Sequence, residues 1–301
     1  MSSFRRHRLF GLSQSIRKVN TPSVWSRLIL VADEQAPNAF LPEVKNMAFI
    51  HAYHTDVGIK KKTNQDAVLV KTAKTPNGYV GLFVVCDGMG GLDQGELASA
   101  TVVRGLSEWF EEDLPDLLHS EQQDDAIRTA LETCVTQQNE KILEYGDETE
   151  SQIGTTVTAL LFIHSRYYIV HIGDSRAYQI REQVTRLTED QTLVAREVAR
   201  GNITPEQALK DPRRNVLLQC VGATRDIDVV IHTGETEPGT LFLLCTDGFY
   251  HKITEDELFE ELRPNQFLNE KQLKYKAIKL VDAVKERKEV DNISIVLAHV
   301  V

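Results

Sequence analysis

No run in this 301-residue chain comes near the roughly 20 consecutive apolar residues that a membrane-crossing helix needs. The opening "MSSFRRHRLF" also lacks the apolar core of a secretory signal. Cysteine is scarce. Cys86, Cys134, Cys220 and Cys245 show no CxxC spacing, and Cys86 and Cys245 sit inside apolar runs, so they read as buried thiols rather than ligands. A reducing, cytoplasmic setting suits them. Positive charge is in deficit, with 34 Lys and Arg against 44 Asp and Glu for a net charge of -10, which makes nucleic acid a poor default partner. The glycines of "DGMGG", which read as a flexible turn, match neither GxGxxG nor GxxxxGK[ST], which argues against dinucleotide and P-loop readings.

What remains is a chain with 42% hydrophobic residues, enough for a sizeable core in one large domain or two small ones. Its basic charge is unevenly placed. Arg5, Arg6, Arg8, Arg17, Lys18 and Arg27 all precede the first acid, Asp33. Residues 1–47 therefore read as a basic, partly disordered extension, with a short helix near "SVWSRLILVA". Its functional reading is a docking arm for an anionic surface or partner. The compact domain is expected over 48–301.

Within that domain "FI" at 49–50, "QDAVLVKTA" and "GYVGLFVVC" read as strands, the last buried throughout. Ala98, Val102, Leu106 and Phe110 recur every four residues and mark a helix; Ile127, Ala130, Leu131, Cys134 and Val135 mark a second. "TVTALLFI", "RYYIVHI" and "RAYQI" return to strand, with a hairpin at Ser165-Arg166. "TPEQAL" and "TEDELFEEL" carry capped helix starts at Thr204 and Thr254. A helix over 270–287 and the strand "ISIVLAHV" close the chain. Strands and helices do not alternate as in a doubly wound sheet. The expected fold class is α+β, two packed, mostly antiparallel sheets with helices outside.

One device repeats along the chain. Asp87-Gly88 follows "LFVVC", Asp174 follows "YYIVHIG", and Asp247-Gly248 follows "LFLLCT". Asp66 precedes "AVLV", and Asp291-Asn292 precedes "ISIVL". For any one acid a turn or cap role is the ordinary reading. As a set, converging strand-end carboxylates would repel, and divalent cations resolve that repulsion. An all-oxygen cluster favours Mg²⁺ or Mn²⁺ over Zn²⁺. The residues alone thus suggest a metal-dependent phosphate-ester hydrolase.

These acids lie in motifs that, in order, resemble the metal-dependent Ser/Thr protein phosphatases of the PPM, or PP2C, family, in its bacterial branch. They are "TDVGIKKKTNQD" (55–66), "VVCDGMGG" (84–91), "IGTTVTAL" (153–160), "HIGDSRAY" (171–178), "RLTEDQTL" (186–193), "NVLLQCVG" (215–222), "LLCTDGFY" (243–250) and "DNISIVL" (291–297). The resemblance implies an α-β-β-α four-layer sandwich with two Mn²⁺ or Mg²⁺ ions at one edge. Asp87 would bridge them, the Gly88 carbonyl would bind one, and Asp247 and Asp291 would complete the other's shell. Asp66 would hold metal-bound water, and Asp174 would serve a weaker third ion. It further implies hydrolysis of phosphoserine and phosphothreonine by metal-activated water, without a phospho-enzyme. The partners implied are phosphoproteins made by a Ser/Thr kinase, and a monomer is expected. A mobile flap is expected at about 192–220.

Several positions depart from the family pattern. Lys61 stands where a phosphate-binding Arg is usual, Gln65 where Glu is frequent, and His251 where an Asp supports the third ion. Gln191 replaces a common His, and Met89 follows the glycine as in bacterial relatives. Ser175 and Arg176 are expected to fix the loop after Asp174, Thr155 and Thr156 to pack near the site, and Asp56 to be structural. Arg213 and Arg214 could meet acidic targets from the flap. Lys61, Gln65 and His251 are the only support for an alternative, a weakly active pseudophosphatase acting as an adaptor.

Overall fold

The apolar runs "GYVGLFVVC" and "LFLLC" are strands buried on both faces, which is why neither alternates with polar residues. The computed structural model in which they lie describes residues 47–91, 94–120 and 122–301. The basic arm and the helix expected at "SVWSRLILVA" fall outside the described residues.

The first half of the domain contributes β1 (Phe49–Asp56), β2 (Ala67–Thr75), β3 (Gly78–Cys86) and β4 (Gly88–Gly90). Helices α1 (Gln94–Glu112), α2 (Leu114–Leu117) and α3 (Gln123–Thr149) follow. Next come β5 (Ile153–Thr155), β6 (Val157–Ile163), β7 (Arg166–Ile172), β8 (Arg176–Ile180) and β9 (Val184–Arg186). Short helices α4 (Leu193–Ala199) and α5 (Pro205–Ala208) lie in the expected flap, before β10 (Val230–Glu235) and β11 (Leu241–Cys245). The chain then forms α6 (Asp247–Tyr250), α7 (Glu255–Glu261), α8 (Glu270–Glu286) and β12 (Ile293–Val300).

Strands β1-β12-β11-β8-β9 make one sheet and β10-β7-β6-β3-β2 the other, all antiparallel. Phe83 and Val85 of β3 face Phe242 and Leu244 of β11 across the sandwich, while Val80, Leu82, Val84 and Cys86 face α1 and α3. Leu241, Leu243 and Cys245 look the other way, toward α7 and α8. This is the four-layer α-β-β-α order expected from the sequence. Met47 is buried between the sheets, and Ala48 and Val301 exchange two backbone hydrogen bonds of 2.9 Å.

The expected capping boxes at Thr204 and Thr254 are both formed. Several features differ from the sequence reading. "DGMGG", read as a flexible turn, includes β4, which pairs with β5. Asp247 begins a helical turn rather than a bare strand end. Strand β10 went unforeseen because half-buried "VIHTGE" has no clean period.

Phe162 sits at the centre of the sandwich, stacked on Phe49 at 4.9 Å and edge-on to Phe242 at 5.0 Å. Phe162→Ala is expected to cost about 3–5 kcal/mol, measured by urea unfolding, because a filled core cannot collapse around the cavity.

Candidate metal centre

Antiparallel registers deliver the five acids to one end of the sandwich. Ala67 lies opposite Cys86, so Asp66 enters the sheet beside the point where Asp87 leaves it. Cys245 lies opposite Ile295, which sets Asp247 at the end of β11 near Asp291 at the start of β12. Asp174 lies in the connection from β7 to β8. Asp66, Asp174 and Asp247 are buried.

The acids act on one another. Burial raises Asp87 well above the ordinary 3.8, and the fields of Asp66, Asp247, Asp174 and Asp291 raise it further. Asp66 is lifted to about 7, by burial first, against the lowering effect of hydroxyl bonds from Ser294 and Thr246. Asp174 is lifted to about 8 by burial and by Asp247 and Asp190, with Arg176 opposing. Burial also raises Asp247, which His251 partly offsets.

Hydroxyls and amides lock these positions. Thr246 Oγ1 donates to Asp66 Oδ2 at 2.9 Å and accepts from Ser294 N–H at 3.0 Å, joining the acid of one sheet to the strands of the other. Asn292 Oδ1 accepts from Gln65 N–H at 2.9 Å, and its Nδ2 donates to Val57 O and Thr63 O, pinning the β1–β2 loop. Ser99 Oγ donates to Gln65 O at 2.7 Å. Thr156 Oγ1 accepts from Asp87 N–H, and Asp87 O accepts from Thr156 N–H and Thr155 Oγ1, all at 2.9 Å. Gly88 has no room for a side chain: a Cβ there would lie 2.2 Å from Gly95 O and 2.5 Å from Gln65 O. Gly58 has φ +78°, and its Cβ would meet Asp291 O at 2.1 Å.

The residues that depart from the family pattern find defined places. Lys61 Nζ lies 2.8 Å from Asp291 Oδ1. Burial works against its charge, yet the Asp291 bond and the fields of Asp87 and Asp247 outweigh this and hold the ammonium above its usual range. His251 Nδ1 stands 3.9 Å from Asp247 Oδ2. Gln191, which had no assigned role, accepts from Gly173 N–H at 2.8 Å and returns a backbone bond to Gly173 O, steadying the approach to Asp174. Arg176 forms a fork on Asp190, at 2.9 and 2.6 Å, and lies 3.5 Å over the Tyr250 ring, whose hydroxyl donates to Asp174 O. Asp56 is structural as expected, bonded to Gly58 N–H and paired with Lys285 at 2.7 Å.

The chemistry of this end suits a hard divalent cation. Asp66 Oδ1 and Asp247 Oδ1 are buried with no hydrogen-bond partner, and Lys61 already supplies one positive charge. The acidic donors are all oxygen, which fits Mg²⁺ or Mn²⁺. Among the described residues no three His, Cys, Asp or Glu side chains close on a single point tightly enough to hold an ion as they stand.

A family model for Protein phosphatase 2C matches residues 57–288. The serine/threonine phosphatase stp of Listeria innocua is 34% identical over 229 residues, 74% of this chain and 86% of that protein. Serine/threonine protein phosphatase PstP of Mycobacterium tuberculosis is 31% identical over 83% of this chain, but the match spans only 45% of that longer protein. The crystal structure of the PstP catalytic domain in complex with two manganese ions superposes with a TM-score of 0.70 at 28% identity, covering 85% of this chain and 99% of that one.

Two outcomes follow from the geometry. Folded pKa values raised above 3.8 mean that the native state binds more protons than the unfolded chain between about pH 4 and pH 8. The stability contributed by protonated Asp66 and Asp174 is fully present below about 3.8 and is lost as pH rises through about 7 to 8. Thermal scans of chelator-treated protein should therefore show Tm falling over this range, with a gentler slope in Asp174→Asn; a rising Tm would contradict the assignment. Thr246→Val removes a bond to Asp66 and should weaken Mn²⁺ binding by about 10–100-fold in isothermal titration.

Proposed function

The chain belongs to the protein phosphatase 2C family and is a metal-dependent protein serine/threonine phosphatase; we propose that the strand-end carboxylate cluster is where it works. The observation that carries this reading is the convergence of five aspartates, two of them with buried oxygens lacking any donor. Asp87 and the Gly88 carbonyl, with Asp247 and Asp291, are the groups to hold two Mn²⁺ or Mg²⁺ ions, and Asp66 stands in position to hold water beside them. Asp174, with His251, would serve a weaker third ion. The cations, when bound, lower the pKa of water and offset charge on the phosphoryl oxygens.

The chain's own residues do the rest. Asp66, fixed through Thr246, can accept a proton or orient a water at Oδ1, the oxygen left without a donor. Lys61, on the solvent side of Asp291 and 43% exposed, can turn from that carboxylate to an incoming phosphate. Its single ammonium offers a point charge where a guanidinium would offer two parallel bonds. Although Gln65 and His251 stand where the family pattern has an acid, Asp66, Asp87, Asp174, Asp247 and Asp291 are all present, and nothing favours the adaptor reading.

The substrates are phosphoproteins carrying phosphoserine or phosphothreonine. Four free cysteines suit a reducing cytoplasm, and no helix among the described residues is long and apolar enough to cross a membrane. A monomer, with a docking role for the basic segment 1–47, remains the reading for assembly.

Asp87→Asn should abolish Mn²⁺-dependent phosphate release from a phosphothreonine peptide; full turnover in that variant would overturn the assignment. Lys61→Arg should lower KM and leave kcat within about twofold, because the gain is in binding the phosphate.

A further inference from the structure

Beside the carboxylate cluster lies a groove of about 520 Å³ that the hydrolysis itself does not use. Its floor is the β4–β5 pair, in which Met89 lies opposite Gly154 and Gly90 opposite Ile153. One wall is the last two turns of α3, with Leu143 and Asp147; the other includes Cys220 and Ala223. The groove adjoins the site along the chain, because Met89 of its lining is two residues from Asp87. An extended chain advances about 3.3 Å per residue, so a peptide with its phosphate at Asp87 would reach this groove within three residues.

The lining is specific in its chemistry. Met89, Leu143 and Ile153 offer an apolar surface, and Asp147 supplies a carboxylate to the same lining. Asp147 is exposed and in no ion pair among the described residues, and the exposed Glu144, Glu148 and Glu150 stand near it in the chain without lining the groove. They sit at the C-terminal end of a 27-residue helix, where the macrodipole adds further negative potential. A long aliphatic stem ending in a cation satisfies both parts, since the stem covers the floor and the head meets Asp147. An acidic neighbour would be repelled, and a purely apolar one would gain nothing from the carboxylate.

We propose that this groove is a specificity subsite that receives a lysine or arginine of the phosphoprotein, within three residues of the phosphorylated one. This rests on the phosphatase reading and adds the class of substrate sequence. The position of the groove is held by α3 itself: Asn139 Oδ1 accepts from Gly222 N–H at 2.6 Å, and its Nδ2 donates to Thr224 O at 2.9 Å. Val221 and Thr155 then exchange two bonds of 2.9 Å, tying that wall to β5.

The test is an arginine scan. Fluorescent phosphothreonine peptides carry a single Arg at each of the three positions on either side, in an alanine background. kcat/KM with Mn²⁺ is compared with the all-alanine parent. At one position Arg should raise kcat/KM by roughly five- to tenfold, the scale of one favourable charge pair with packing. Asp147→Lys should bring that ratio to one or below, and Ala223→Trp, which fills the groove, should bring it near one. Glu108→Lys makes the same charge change on α1, about 20 Å along the helix from Gly95, and should keep the ratio. A flat scan, or a preference that survives Asp147→Lys, overturns the subsite. If no peptide is hydrolysed with any cation, the phosphatase reading fails instead. Anisotropy of the same peptides on the same proteins then decides the subsite: an Arg preference lost in Asp147→Lys supports it, and equal or absent binding refutes it.

Discussion

Mutual repulsion among buried aspartates is the constraint on which the rest of this structure depends. Two apolar sheets packed face to face leave one end where five strands start or stop, and an aspartate stands at each. Burial and mutual fields push Asp66, Asp87, Asp174 and Asp247 upward together. A fold would discard such an arrangement unless something positive came to it. Protons at low pH, the Lys61 ammonium and divalent cations are three answers to the same electrostatic problem.

The hydrogen bonds around the cluster make sense as resistance to that repulsion. Thr246 ties Asp66 to β12, Asn292 ties the β1–β2 loop to the start of β12 through Val57, Thr63 and Gln65, and Thr155 and Thr156 hold the Asp87 backbone. Each is a short polar side chain at a strand end, where it bonds backbone that the ladder leaves unpaired. Gly88 and Gly58 serve the same end by letting backbones approach where any Cβ would force them apart. The segment 192–220 is tied in through Gln191, whose backbone carbonyl accepts from Leu218 N–H at 2.8 Å.

Much of this was legible in the sequence. The double-faced strands declared themselves as unbroken apolar runs, and the acids at their ends could be picked out by position alone. Asp56, Thr155, Thr156 and Arg176 also hold the structural places expected of them. The locking residues were less visible. Thr246, Ser99 and Asn139 act through partners 34 to 180 residues away, a distance no local pattern reports. Asn292 had one signal, its place directly after Asp291 and before a strand. "DGMGG" read as a loop because its glycines conceal a strand whose partner, β5, comes more than 60 residues later.

The central claim is that cations replace protons on crowded carboxylates. Its most direct test is titration of Mn²⁺ into chelator-stripped protein near pH 6.5, in buffers of different ionisation enthalpy, so that protons released per ion are counted. The account predicts two ions bound per chain with net proton release, diminishing as pH rises past about 8. Binding without proton release, or no binding at all to folded protein, would contradict it.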